Sequence, residues 1–232
     1  MNIPTQSLLP NETILKSTFN ILYKQSNATA FLVNGQKGQF LITAKHLFKD
    51  ILSSGSSVKV NIKGGQINMD LICPVFFHCN QLVDIAVMKL KSNIICGDIL
   101  PLKGNSSFFV GQECLFLGFP LFNLGSFTSI GKVAFVKKAI VSALYEENNT
   151  RILLLDGQNN PGFSGGPVIT YSETMTKLFI IGVISGYIKQ TKDLEIVNEG
   201  INNKIQTDEN SGIIISYEAN YISEIIHGIE NN

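Results

Sequence analysis

Apolar residues along this chain come in short runs separated by turn-formers, and helical periodicity is scarce. That is the pattern of an all-β sandwich or barrel. Residues 13–24 fit a short helix or an extended lead-in. Ala28 to Val33 reads as a strand, Asn34-Gly35-Gln36-Lys37-Gly38 as a hairpin turn and Gln39 to Thr43 as its partner. Val58 to Ile62 and Ile67 to Val75 flank a Gly64-Gly65 turn, and Leu82 to Leu90 is apolar on both sides of one aspartate, Asp84. Turn-formers crowd residues 97–111, where a boundary between two halves is expected. In the second half, strands are predicted at 113–117, 127–136, 138–145, 151–155, 168–171, 178–185 and 212–216. Residues 189–211 are strongly polar and read as a long surface loop or β-hairpin excursion beside a binding cleft. Ala219 to Ile229 closes the chain as a helix with Ile222, Ile225, Ile226 and Ile229 on one side.

Composition narrows the class. The 232 residues are 44% hydrophobic and 16% charged, enough to bury a core in one large domain or two small ones. Eighteen basic and eighteen acidic residues cancel. Without a basic cluster the electrostatic footprint of a nucleic-acid binder is missing, and no apolar stretch is long enough to span a bilayer. The first 24 residues lack a basic segment followed by an apolar one, so no signal peptide is expected and a soluble, cytoplasmic protein is. Cys73, Cys79, Cys96 and Cys114 have no paired short spacing and are expected to be reduced. His78 lies beside Cys79, but no second close pair completes a zinc ligand set, so no metal or other cofactor is expected. The glycosylation tripeptides at Asn27 and Asn105 carry no meaning without export.

Candidate chemistry centres on Asn160-Pro161-Gly162-Phe163-Ser164-Gly165-Gly166-Pro167. A serine among glycines, followed by an apolar run, suits a rigid loop that presents a nucleophile and then enters a buried strand. The amides of Gly162 and Ser164 can converge on a developing oxyanion. Taken alone, the segment is equally an ordinary glycine turn, and Asp84 reads first as a turn cap at a strand mouth. Yet burying a lone carboxylate is costly, and Asp84 calls for a partner. His46, directly after the strand ending in Thr43-Ala44-Lys45, supplies a candidate.

His46, Asp84 and Ser164 stand in that order, and with them the chain resembles the chymotrypsin-like serine proteases, more closely their bacterial branch that includes the high-temperature-requirement (Deg-type) proteases. Ala30 to Val33 followed by Leu41-Ile42-Thr43-Ala44-Lys45-His46 is similar to the family's strand pair, and Asp84-Ile85-Ala86-Val87-Met88-Lys89-Leu90 to its aspartate segment. Asp156 with Asn160 to Pro167 resembles the nucleophile loop, and Gly182 to Ser185 and Gly212 to Ile222 the closing strands and helix. The likeness covers about residues 28–229. It implies two antiparallel six-stranded β-barrels with a short C-terminal helix: an extension over 1–27, a first barrel over 28–105 carrying His46 and Asp84, and a second over 106–232 carrying Ser164.

The implied chemistry is a serine endopeptidase acting on protein or peptide substrates through an acyl-enzyme. Asp84 would orient His46, His46 would serve as general base, and Gly162 and Ser164 would form the oxyanion hole. Gln158 falls at the base of the specificity pocket, where basic-selective members carry an aspartate. Tyr187 follows Gly186 and narrows the pocket, so a small or medium uncharged side chain is expected there. Ser185, Gly186 and Tyr187 are expected to add substrate as a β-strand. Phe163 occupies the position where secreted zymogen-type members have an aspartate that pairs with a newly cut N-terminus. Control is therefore expected through loop access or an activating partner. No peptide-binding domain follows residue 232, so a full Deg-type protease is not expected. His78 and His227 lack the context of a base. Two other readings share these residues: a protease-like binding module that does not cut, and an esterase using the same acyl chemistry.

Overall fold

The computed structural model describes residues 12–97, 99–103, 108–120, 133–172, 177–198 and 201–231. Its strands close into two antiparallel barrels. In the first, β1 (Thr18–Tyr23), β2 (Ser26–Asn34), β3 (Gln39–Thr43), β4 (Ser56–Gly64), β5 (Ile67–Phe77) and β6 (Ala86–Lys89) are joined in the order β1-β2-β3-β6-β5-β4. Pairing of Ile21 with Ile62 returns β4 to β1. The second barrel joins β7 (Glu113–Gly118), β8 (Phe135–Glu147), β9 (Thr150–Asp156), β10 (Pro167–Tyr171), β11 (Leu178–Asn198) and β12 (Ile201–Glu218) in the order β10-β11-β12-β9-β8-β7. It closes where Val168 pairs with Phe116. Within each barrel, closure gives every strand a neighbour on both sides, while the part of β11 and β12 beyond the second barrel pairs only with itself.

The apolar pattern explains how the barrels meet. Strand β4 alternates, with Val58, Val60 and Ile62 buried and Lys59 and Lys63 exposed, as a strand does when one face meets water. Strands β2, β3 and β6 do not alternate. Leu32, Leu41, Ala86 and Met88 fill the first barrel, while Phe31, Val33, Phe40, Ile42 and Val87 point the other way. Those outward side chains are buried against Leu115, Leu117, Phe119, Ile169, Ile180 and Val183 of the second half. The continuous apolar runs of the sequence are thus strands shared between two cores.

Helix α1 (Glu12–Lys16) precedes β1, and helix α2 (Asn220–Asn231) crosses from the second barrel to the first. Ile222, Ile225 and Ile226 of α2 are buried in the shared core. Its end is held by Glu230, whose Oε1 accepts the Lys37 amide at 2.6 Å. His78 anchors its middle. The ring accepts the Asn80 amide at Nδ1 (3.0 Å), so Nε2–H donates to Glu224 (2.8 Å), and the ring meets Tyr221 edge-on. His227 contacts Asn231 of its own helix.

Several expectations shift. Thr18–Tyr23, placed in an N-terminal extension, is a strand of the first barrel, pairing with both β2 and β4. Its alternation of Phe19, Ile21 and Tyr23 inward is weak in so short a segment. The break expected between 136 and 138 is absent: β8 runs from Phe135 through Glu147, paired with β7 without interruption across Val136, Lys137 and Lys138, and its register shift falls further on, between Val141 and Ala143. Residues 127–132 lie outside the described residues, as do residues 1–11, Asp98, the 104–107 turn with its glycosylation tripeptide, and Glu199. The polar stretch 189–211 is a hairpin arm of β11 and β12, with Lys189 paired to Asp208 at 3.2 Å and Thr191 donating to the same carboxylate.

All four cysteines are free. Burial pushes the Cys73 thiol up to about 11 and the Cys114 thiol up to about 12. Among the described residues no helix is long and apolar enough to cross a membrane.

Candidate active site

The first barrel delivers the histidine on a short 3-10 turn, Lys45–Phe48, directly after β3. Leu47 and Phe48 are buried beneath it, so the turn is pinned while its outer side stays open. Asp84 lies just before β6, between Val83 and Ile85, both fully buried. The backbone there has little freedom. Its carboxylate receives the His46 amide at Oδ1 (2.8 Å) and the ring Nδ1–H at Oδ2 (2.7 Å). A carboxylate can only accept, so this contact places the proton on Nδ1 and leaves Nε2 as the free lone pair. The His46 side chain is 40% exposed and that of Asp84 16%, so the acid is shielded and the base faces the cleft.

The second barrel contributes the loop between β9 and β10. Gly162 has φ +100°, a conformation that favours glycine. Around it the amides of Phe163, Gly165 and Gly166 donate to Asn160, Ile184 and Phe163 carbonyls. Among the described residues the amides of Gly162 and Ser164 meet no protein acceptor. Phe163 is fully buried and packs edge-on against Phe116 at 5.3 Å.

Ser185 joins the two halves of the site. Its hydroxyl donates to Asp84 Oδ2 at 2.5 Å, and its carbonyl accepts the Ser164 hydroxyl at 2.8 Å. Sequence reasoning placed Ser185 only on the substrate strand; its side chain also holds the acid. The Ser164 hydroxyl thus points at the β11 backbone.

A second joint runs through Thr29 of β2. Its amide donates to the Ser164 carbonyl (2.8 Å), its hydroxyl donates to the Gly162 carbonyl (2.7 Å) and accepts the Phe119 amide (3.0 Å), and its carbonyl accepts the Thr43 hydroxyl (2.7 Å). Each such buried bond contributes about 1 kcal/mol. The sequence offers one signal for Thr29, a polar residue inside the apolar strand Ala28 to Val33, and its glycosylation tripeptide says nothing of these bonds.

At the predicted pocket base the structure places Gln158 at the surface, its carbonyl accepting Lys137 Nζ at 2.6 Å. The neighbouring Asn159 is the buried one, donating to the Gly186 carbonyl (3.1 Å) while its own carbonyl accepts Asn210 (2.6 Å). Gly186 and Tyr187 are half-buried on β11, Tyr187 opposite Ile214. A cavity of about 420 Å³ opens beside His46, lined by Tyr23, Asn27, Ala28, Leu47 and Asp50. Lys24 and Tyr23 hydrogen-bond to Asp50 and hold its carboxyl below the usual range. A wider hollow of about 590 Å³ beneath α2, lined by Phe76, Phe77, Ile225 and Ile229, lacks all three candidate catalytic residues.

The chain is similar in fold to solved bacterial proteases. It aligns with a serine endoprotease from Yersinia pestis at 17% identity and a TM-score of 0.60, covering 97% of this chain and 69% of that one. With the HtrA-type protease AlgW, solved with a tripeptide, identity is 17% and the TM-score 0.61, over 94% of this chain and 61% of AlgW. With the inactive form of a serine-to-alanine mutant of Rv3671c from M. tuberculosis, the values are 11% and 0.56, over 94% and 88%. At these identities the likeness is one of fold. No curated protein sequence matches the chain. Residues 28–175, a span that includes His46, Asp84 and Ser164, match the family of trypsin-like peptidase domains. The chain belongs to that family of serine endopeptidases.

Proposed function

We propose that the chain cleaves peptide bonds through an acyl-enzyme on Ser164. The observation that carries this reading is the two-point hold of Asp84 on His46, tied through Ser185 to Ser164. His46 Nε2 takes the Ser164 proton as Oγ attacks the scissile carbonyl. The Gly162 and Ser164 amides receive the oxyanion. The C–N bond breaks as His46 returns the proton to the leaving amine, and water, deprotonated by the same ring, releases the acyl group. Substrate lies along Ser185, Gly186 and Tyr187 as an added strand, and an uncharged side chain enters the pocket near Gln158 and Asn159.

Gating is part of the proposal. The Ser164 hydroxyl donates to the Ser185 carbonyl at 2.8 Å, and a rotation about its Cα–Cβ bond must bring it to His46 before reaction. Loop access or a partner that favours the rotated state would control the rate. The four free thiols support a reducing, cytoplasmic setting.

A fluorophosphonate probe tests the site: the wild-type chain is labelled and Ser164→Ala is not. Absence of wild-type labelling overturns an active site in the isolated chain and leaves the protease-like binding module or a latent state. Full-rate hydrolysis of generic peptides by the isolated chain overturns gating, and a strong Arg preference in a peptide library overturns the uncharged pocket.

A further inference from the structure

On β8, Lys137 faces inward. It stands opposite Phe116 of β7, on the strand face that carries Ala139 and Val141 into the second barrel's core. Directly opposed residues share a face, so its stem runs along buried apolar surface. The ammonium at its end donates to the Gln158 carbonyl at 2.6 Å and to Asn160 Oδ1 at 2.5 Å, and lies 5.2 Å from the centre of the Phe163 ring. Among the described residues no carboxylate pairs with it. Burial lowers its pKa.

A charge drawn into a barrel end is costly unless its donors are met. All three contacts that meet them come from one short segment, and they fall on both sides of Gly162. Two precede it and the Phe163 ring follows it, a face that attracts a cation. The segment's other tethers, at Asn159 and the Gly162 carbonyl, come from different directions. An ammonium can bind three acceptors on a single segment at once, which a neutral core residue cannot.

We propose that Lys137 is a positioning residue for the reaction, a half-buried cation that clamps residues 158–163 so that the Gly162 and Ser164 amides face one point. This rests on the oxyanion role proposed for those amides. Lys137 touches no substrate and acts through the loop. Its contribution is made in the transition state, when the oxyanion forms.

The test uses the full chain with Lys137→Met, which keeps the stem and removes the ammonium, and Lys137→Arg, which keeps the charge. Lys137→Met lowers kcat by about 10²-fold with KM little changed, the size that misplacement of a reacting group by about an ångström produces. Its affinity for a peptide boronic acid, which forms a tetrahedral adduct on the serine, falls by a similar factor, and Lys137→Arg restores most of both. Hydrogen exchange across residues 158–164 reads the clamp without turnover: exchange rises in Lys137→Met and stays at the wild-type level in Lys137→Arg, while the remaining β-strands keep their protection. Unchanged loop exchange in Lys137→Met overturns the clamp, even in a chain that turns over nothing. Equal losses in both variants, or a rise in KM alone, also overturn it. A wild-type chain that takes no fluorophosphonate refutes the catalytic reading separately, with the exchange result standing for the clamp.

Discussion

Asp84→Asn lowers kcat by about 10⁴-fold, and Ser164→Ala and His46→Ala each lower it by about 10⁶-fold, with the double variant of those two no worse than either. The unequal sizes follow from what each group does. Ser164 and His46 act in the same bond-making step, so losing one removes what the other contributes. Asp84 acts by choosing a tautomer. Its carboxylate accepts three donors: the His46 amide, the His46 ring and the Ser185 hydroxyl. An asparagine of the same shape has one accepting atom and one donating group. With its NH₂ turned to the ring, Nδ1 becomes an acceptor and the proton moves to Nε2, where the ring can no longer take one from Ser164. Steady-state kinetics on a cleaved peptide check the series, and a loss below about tenfold for Asp84→Asn would remove the carboxylate from the mechanism. KM changes little, since Asp84 lies off the proposed substrate strand.

Gly165→Ala destabilises the fold by about 3–5 kcal/mol, at the upper end of single-substitution effects. Two costs combine. The residue has φ +83°, which strains any side chain, and an added Cβ would lie 2.2 Å from the Thr29 carbonyl oxygen, 2.3 Å from Thr43 Oγ1 and 2.7 Å from the Ala44 amide. These atoms belong to β2, β3 and the segment leading to His46, so relief requires the barrels to part at the site. Urea unfolding measures the loss as a lower midpoint. Gly228→Ala is the control: on α2, with open space around the added methyl, it stabilises by up to about 1 kcal/mol. A Gly165→Ala midpoint equal to wild type would show that the two barrels do not meet as closely as the structure has them.

How much of this the sequence disclosed depends on whether a residue works through its neighbours in the chain. The barrels were legible because apolar runs and turns are local, and His46, Asp84 and Ser164 because each sits in a segment whose own pattern is distinctive. β1 is not legible as a barrel strand because Thr18–Tyr23 has no turn cluster ahead of it, and only its pairing with β2 and β4 reveals it. Thr29, Asn159 and the Ser185 hydroxyl were not legible as site residues. Their partners lie 133, 27 and 101 positions away, and nothing in their local sequence announces a hydrogen bond across the molecule. Lys137 was hidden differently: beside Lys138, it reads as half of an exposed basic pair until strand register turns it inward.

The strands shared between two cores carry a further consequence, for synthesis. A ribosome releases the N-terminal barrel first, when the strands that will cover Phe31, Val33, Phe40, Ile42 and Val87 have yet to be made. During that interval the nascent chain shows water a broad apolar flank that the finished protein never exposes, the kind of surface that draws chaperones or seeds aggregates. The close fit of the barrels that assembles the site thus leaves the half-built chain with an apolar flank to protect.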